Sequence, residues 1–202
     1  IVVPGGVEAH AHAAANVQDG LRELVPGTPN AGPGVHSLGA IWGGTTTVVD
    51  FTPVNNEGDL AQGVHDFMSV WQGQAYTDYT THVIYRNSNT PDSIARFGEL
   101  VAAGFPSAKI FTTDITPSRK GRKINHGHIW EIFKVLKKEG GIAAIHAEDD
   151  EIVMHMYDVL QREGRTGFEN LAEVHNTMSE DLSFRRIIRL AEHVDGTPLY
   201  MM

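Results

Sequence analysis

Short apolar runs rich in β-branched residues alternate with helical stretches along the whole chain, and few folds accommodate that pattern. Val48-Val49-Asp50-Phe51, after Gly43-Gly44-Thr45-Thr46-Thr47, reads as a buried strand. Further strands are expected at 79–85, 108–112, 142–146 and 198–202, with another in the opening run before His10. Between them, helical spacing covers 58–73, 91–103, 128–139, 151–163 and 180–193. Pro91 suits a first helical turn, and Gly104 and the Gly140-Gly141 pair suit helix ends.

Strands alternating with helices at this spacing form βα units on a parallel sheet. A doubly wound open sheet and a (β/α)8 TIM-type barrel both satisfy the pattern. His12, Asp50, Lys109 and His146 fall at the ends of different strands, and in a barrel those ends converge on one mouth. A full barrel takes about 250 residues. The 202 residues are therefore expected to form one α/β domain, an incomplete barrel of about the first six βα units. Both ends fall inside apolar strand patterns, so a longer protein is expected. The Gly/Pro/Asn-rich stretch 16–33 is long for a connection and is a candidate active-site loop.

A formal charge of −9 argues against nucleic acid or an anionic membrane as partner, since basic patches do that binding. The absence of cysteine excludes disulfides, thiolate metal sites and a cysteine nucleophile. No apolar run has the length of a membrane span. A cytoplasmic location is the expectation.

His10-Ala11-His12 places two imidazoles on one side of an extended segment, where they could hold one metal ion. Lys109 interrupts the apolar run Ala108-Lys109-Ile110-Phe111. In a buried mouth, desolvation would favour its neutral amine, which can add carbon dioxide to become a metal-bridging carbamate. The alternative is a lysine whose stem packs on apolar surface while its head reaches water. His146 is a further candidate ligand, and Glu148 could orient an imidazole by hydrogen bonding or complement a helix dipole.

Together, Pro4-Gly5-Gly6-Val7-Glu8-Ala9-His10-Ala11-His12, the 43–51 stretch, Ala108-Lys109-Ile110-Phe111 and Ile145-His146-Ala147-Glu148 resemble the cyclic amidohydrolases of the dihydropyrimidinase and hydantoinase type. The resemblance implies two Zn2+ ions, or other divalent metals, at the barrel mouth. His10 and His12 would bind the first, N6-carboxylated Lys109 would bridge both, and His146 would bind the second. It implies hydrolysis of a C–N bond in a small cyclic amide or ureide through a metal-bound hydroxide, by a homo-oligomer. The family's remaining histidine, its proton-shuttle aspartate, its last barrel strands and its β-sandwich domain would lie beyond Met202. The 202 residues alone are therefore expected to bind zinc weakly and to lack hydrolase activity. A non-catalytic dihydropyrimidinase-like scaffold and an allantoinase-like ureide hydrolase are the alternatives. Scaffold relatives should show replaced ligands, and all four positions here keep residues able to coordinate.

One departure concerns the tyrosine that hydantoinase-like relatives carry after the bridging lysine. Here the run is Phe111-Thr112-Thr113-Asp114, and an ionised aspartate only accepts hydrogen bonds. Asp114 either contacts a donor on the substrate or is a solvated loop acid. Ala13-Ala14 replaces the arginine expected of a dihydroorotase. Thr45, Thr46 and Thr47 read as strand packing, His82 as a hydrogen-bonded core histidine, and Trp42, Trp71 and Trp130 as core. His126, His128, His155, His175 and His193 sit on helices or caps without a partner at metal spacing. The basic run at 119–123 reads as a surface loop, or as a gate to the mouth.

Overall fold

The computed structural model describes residues 2–13 and 32–202. Its frame is a six-stranded parallel sheet in the order β1-β2-β3-β4-β5-β6. The strands are β1 Gly6–Glu8, β2 Thr45–Pro53, β3 Asp78–Ile84, β4 Ser107–Phe111, β5 Ile142–His146 and β6 Leu199–Met201. The helices are α1 Gly32–Trp42, α2 Leu60–Met68, α3 Pro91–Ala95, α4 Phe97–Ala102, α5 His126–Glu139, α6 Asp150–Arg162, α7 Leu171–Val174 and α8 Thr177–Glu192. This is a half-barrel, with the strand order and connections of the first six βα units. The stretch 16–31, most of the candidate loop, lies outside the described residues.

Local chemistry explains where the elements begin and stop. Asp59, Thr90, Asn125, Asp149 and Asn176 each cap a helix by accepting a hydrogen bond from a first-turn N–H. Gly140 ends α5 with φ 77°, the left-handed conformation that glycine adopts without steric strain. The helix expected over 91–103 is broken at Arg96 into α3 and α4. β2 extends further than its expected apolar run and takes in Thr45, Thr46 and Thr47.

Strand alternation divides the side chains between two faces. Val48, Val83, Ala108, Ile110, Ala143 and Ile145 join the main core beneath the helices, with Phe97, Ile129, Phe133, Leu136 and Ile187. On the inner face, Phe51, Ile84 and Phe111 form a smaller cluster with Ile115 and Met202. The sheet curls around that face. Lys109 on β4 reaches Met202, past β5, and the His82 and Tyr200 rings approach to 6.5 Å between β3 and β6.

Two of the three tryptophans depart from the core expectation. Trp71 is fully buried, whereas Trp42 is 85% exposed at the end of α1. Trp130 also faces outward, because α5 buries Ile129, Ile132, Phe133 and Leu136, and Lys134 lies over its ring at 3.8 Å.

Gly141 enters β5 where space is absent. A Cβ there would lie 2.7 Å from Leu136 Cδ2 and Phe97 Cε1 and 2.8 Å from the Pro106 carbonyl oxygen. Gly141→Ala should destabilise the fold by about 1–3 kcal/mol through overpacking, read as a lower urea midpoint at unchanged m-value.

Candidate metal and substrate site

Parallel strands carry their C-terminal ends to one edge, and the candidate residues gather there. His10 and His12 follow β1, His146 closes β5, and all three line one cavity of about 580 Å³. The His10 and His12 ring centroids are 5.5 Å apart, and both rings lie against Phe51, at 4.9 and 4.4 Å. Lys109 shares the inner face with Phe111. It is 1% exposed, with its Nζ 5.3 Å from the Phe51 ring and 4.9 Å from the Phe111 ring. Its hydrogen bond goes to Met202 Sδ at 2.9 Å, a weak acceptor.

The electrostatics follow from that placement. Burial lowers the Lys109 ammonium to about 8. His10 is lowered to about 4, by desolvation first and then by positive charge on Lys109, His12, His146 and His82. Desolvation and Lys109 also lower His12. The two imidazoles are thereby held neutral, the form that offers a lone pair.

His82 is held by two hydrogen bonds and is buried. Its Nδ1 meets Ser107 Oγ at 2.7 Å, and its Nε2 meets the Ala9 carbonyl at 2.9 Å. With Nε2–H donating to Ala9, Nδ1 accepts from the serine. His82 thus fixes the backbone immediately before His10.

Glu148 links two histidines. His146 Nε2 donates to its Oε2 and His175 Nδ1 to its Oε1, each at 2.7 Å. Burial works to raise the Glu148 carboxyl, but the hydrogen bonds from His146 and His175 prevail and hold it below its ordinary value. The carboxylate thereby leaves Nδ1 of His146 as the acceptor nitrogen, the arrangement common for metal-binding histidines. His175, read from sequence as having no partner at metal spacing, also accepts from Tyr157 O–H at 3.2 Å. No local motif signals this pairing, because 27 residues separate it from Glu148.

Among the described residues, no group of three or more His, Cys, Asp or Glu side chains is gathered to hold a metal. Any shared site therefore depends on Lys109. The donor chemistry fits one: neutral imidazoles, a carboxylate-oriented His146, and a buried amine with no carboxylate partner among the described residues. Asp50 also lines the cavity, and its carboxylate accepts from Trp71 Nε1–H at 3.2 Å and Phe51 N–H at 2.7 Å.

Asp114 is turned into its own loop. Its Oδ1 accepts the Arg122 and Lys123 N–H groups, each at 2.8 Å, and it does not line the cavity. Arg119 and Arg122 do line it, so part of the 119–123 run borders the mouth.

No protein-family model matches the chain. A D-hydantoinase of Streptomyces coelicolor is 27% identical over 217 aligned positions, covering 100% of this chain and 40% of that protein. A Dictyostelium discoideum dihydropyrimidinase is 24% identical, covering 100% of this chain and 38% of its own length. A solved D-hydantoinase structure superposes with a TM-score of 0.81 at 25% identity, over 98% of this chain and 40% of that one. The chain is similar to D-hydantoinases and dihydropyrimidinases. It spans about two fifths of the length of these relatives, and its half-barrel is the corresponding part of their TIM-type barrel. Among the described residues, no helix is long and apolar enough to cross a membrane.

The loop beside the mouth is anchored by Asp150, which accepts from Asp114 N–H at 2.9 Å, Thr113 O–H at 3.1 Å and Lys123 Nζ at 2.8 Å. Burial works to raise the Asp150 carboxyl, but Lys123 and the two hydrogen-bond donors outweigh it and hold it below its ordinary value. A carboxyl depressed on folding stabilises above its unfolded value, about 3.9, and loses that contribution as pH falls through the folded value. The stability gap between wild type and Asp150→Asn should therefore be largest near about pH 6 and shrink below about pH 4. Urea denaturation of both across pH would measure it.

Proposed function

We propose that this chain is the metal-binding part of a hydrolase that opens a cyclic amide or ureide. The observation that carries the proposal is the buried Lys109 amine, without a carboxylate partner among the described residues, on the inner face beside the cavity of His10, His12 and His146. Kinship with D-hydantoinases and dihydropyrimidinases supports the same reaction class. His10 and His12 would hold one divalent metal, taken as zinc on ligand type, and His146 a second. Lys109, as its carbamate, would join them. Metal bound there supplies Lewis acidity toward the scissile carbonyl and a water acidic enough to attack at neutral pH.

The chain's own residues prepare that chemistry. His82, through Ala9, fixes the backbone entering His10. Glu148 orients His146, and the Thr112 hydroxyl ties Glu148 down by accepting its N–H at 2.9 Å. Phe51 and Phe111 keep water from the Lys109 amine, favouring the neutral form that captures carbon dioxide. In the whole protein, the remaining barrel strands, a further histidine ligand and the aspartate that passes the proton to the leaving nitrogen are proposed to lie outside these 202 residues. This accords with the two-fifths share of its relatives that the chain covers.

Hydantoin and dihydrouracil ring opening by the intact protein should disappear after chelation and return with zinc. Glu148→Gln should weaken zinc binding about 10–100-fold, the usual effect of losing a residue that orients a ligand. Lys109→Met should lower the zinc content as well as kcat, measured by elemental analysis and ring-opening assay. Full activity in metal-free protein would overturn the proposal.

A further inference from the structure

Three arginines, Arg122 half-buried and the other two exposed, line the same cavity as the histidines, from separate parts of the chain. Arg86 follows β3, Arg119 ends a short 3-10 turn, and Arg122 lies in the loop after β4. The Arg122 guanidinium carbon is 5.8 Å from the Phe111 ring centroid, on the inner face. Among the described residues, none of the three has a carboxylate at ion-pair distance, whereas Arg96, Arg165, Arg185, Arg186 and Arg189 do; Arg162, away from the cavity, bonds the Asp158 carbonyl instead.

The nearby acids are already engaged. Asp114 accepts the backbone N–H groups of Arg122 and Lys123, and Asp150 holds the Lys123 ammonium and the Asp114 N–H. These contacts fix the loop carrying Arg119 and Arg122. Burial and the charges of Arg119 and Arg86 bear unfavourably on Arg122 and outweigh the attraction of Asp114, so the cations repel one another across a shared space. A chain with a formal charge of −9 has ample acid to neutralise them and leaves this mouth basic. Fork-shaped guanidinium groups converging without a partner match the geometry of a carboxylate.

We propose that the substrate is a cyclic amide or ureide carrying a carboxylate outside the ring, held by Arg86, Arg119 and Arg122 while the ring faces the histidines. The proposal rests on the hydrolase reading for the ring and on the arginines for the anion. The apolar wall of Phe51, Ile84 and Phe111 suits the ring between the two.

The test compares hydantoin-5-acetate with its uncharged isostere hydantoin-5-acetamide on the intact, zinc-loaded protein. The acetate should be favoured in kcat/KM by about 10–100-fold, the worth of charge-assisted hydrogen bonds, and the preference should weaken with added salt. Arg122→Gln and Arg119→Gln should each move the acetate-to-acetamide ratio toward one, and Arg122→Lys should retain part of it. An equal ratio in wild type, with both rings opened, would overturn this inference and leave the hydrolase reading standing. If neither ring is opened, the hydrolase reading fails. Calorimetric binding of the two compounds then decides the anion site: tighter acetate binding lost in Arg122→Gln supports it, and equal binding overturns it.

Discussion

Parallel pairing between successive strands is the constraint on which the rest of this structure depends. A parallel neighbour cannot be reached by a tight turn, so the chain must cross over the sheet each time. The crossovers here carry helices, and their apolar faces require apolar side chains on one side of every strand. The opposite face is then free to hold a different chemistry, and all six strand ends emerge along one edge. The alternation that sends Ala108 and Ile110 under the helices sends Lys109 and Phe111 inward. The same alternation turns His82 and Ile84 inward on β3.

Buried polar groups then set the positions of the site residues to a degree that apolar packing alone does not. Thr112 is the clearest case. Its hydroxyl donates to the Glu148 carbonyl at 2.7 Å, accepts the Glu148 N–H at 2.9 Å and accepts from Ser183 Oγ at 2.9 Å. One side chain after β4 thereby joins the segment after β5 to α8. Glu148, held in this way, can carry two imidazoles without leaving either carboxylate oxygen unpaired. His82 performs the matching task for β1, a three-residue strand at the sheet edge whose pairing with β2 is irregular between Gly6 and Val7. The contact to Ala9 works with the Ala11 N–H bond to the Val49 carbonyl at 3.1 Å to fix the segment around His10.

The sequence made the strands and most helices legible because each has a local physical signature: β-branched runs, helical spacing, capping residues and glycine stops. His10, His12, Lys109 and His146 stood out for a similar reason, since each sits at or near the end of such a run. What was not legible arose from contacts between distant residues. The Glu148–His175 bond, the placement of Arg86 beside Arg119 and Arg122, and the Lys109–Met202 contact have no local pattern. Trp42 and Trp130 misled because an aromatic at helical spacing can lie on either side of a helix. Asp114 stood where the resemblance implied a tyrosine, but two backbone N–H groups at 2.8 Å claim its carboxylate. Position along the chain did not reveal that competition.

Charge at the mouth ties these features together. As an ammonium, Lys109 depresses His10, His12 and His82 alike, adding to the positive field of the three arginines. As a carbamate it would reverse sign, turning a group that disfavours any nearby cation into one that attracts it. On the proposed reading, a lysine walled by Phe51 and Phe111 would pass between the two states through its neutral amine. Burial lowers the lysine to about 8, bringing it closer to that form than an exposed lysine would be. The phenylalanines that make up the inner cluster are therefore part of the site's electrostatics as much as of its packing. Replacing either with a polar residue would rehydrate the amine and strengthen the ammonium against which His10 and His12 are set.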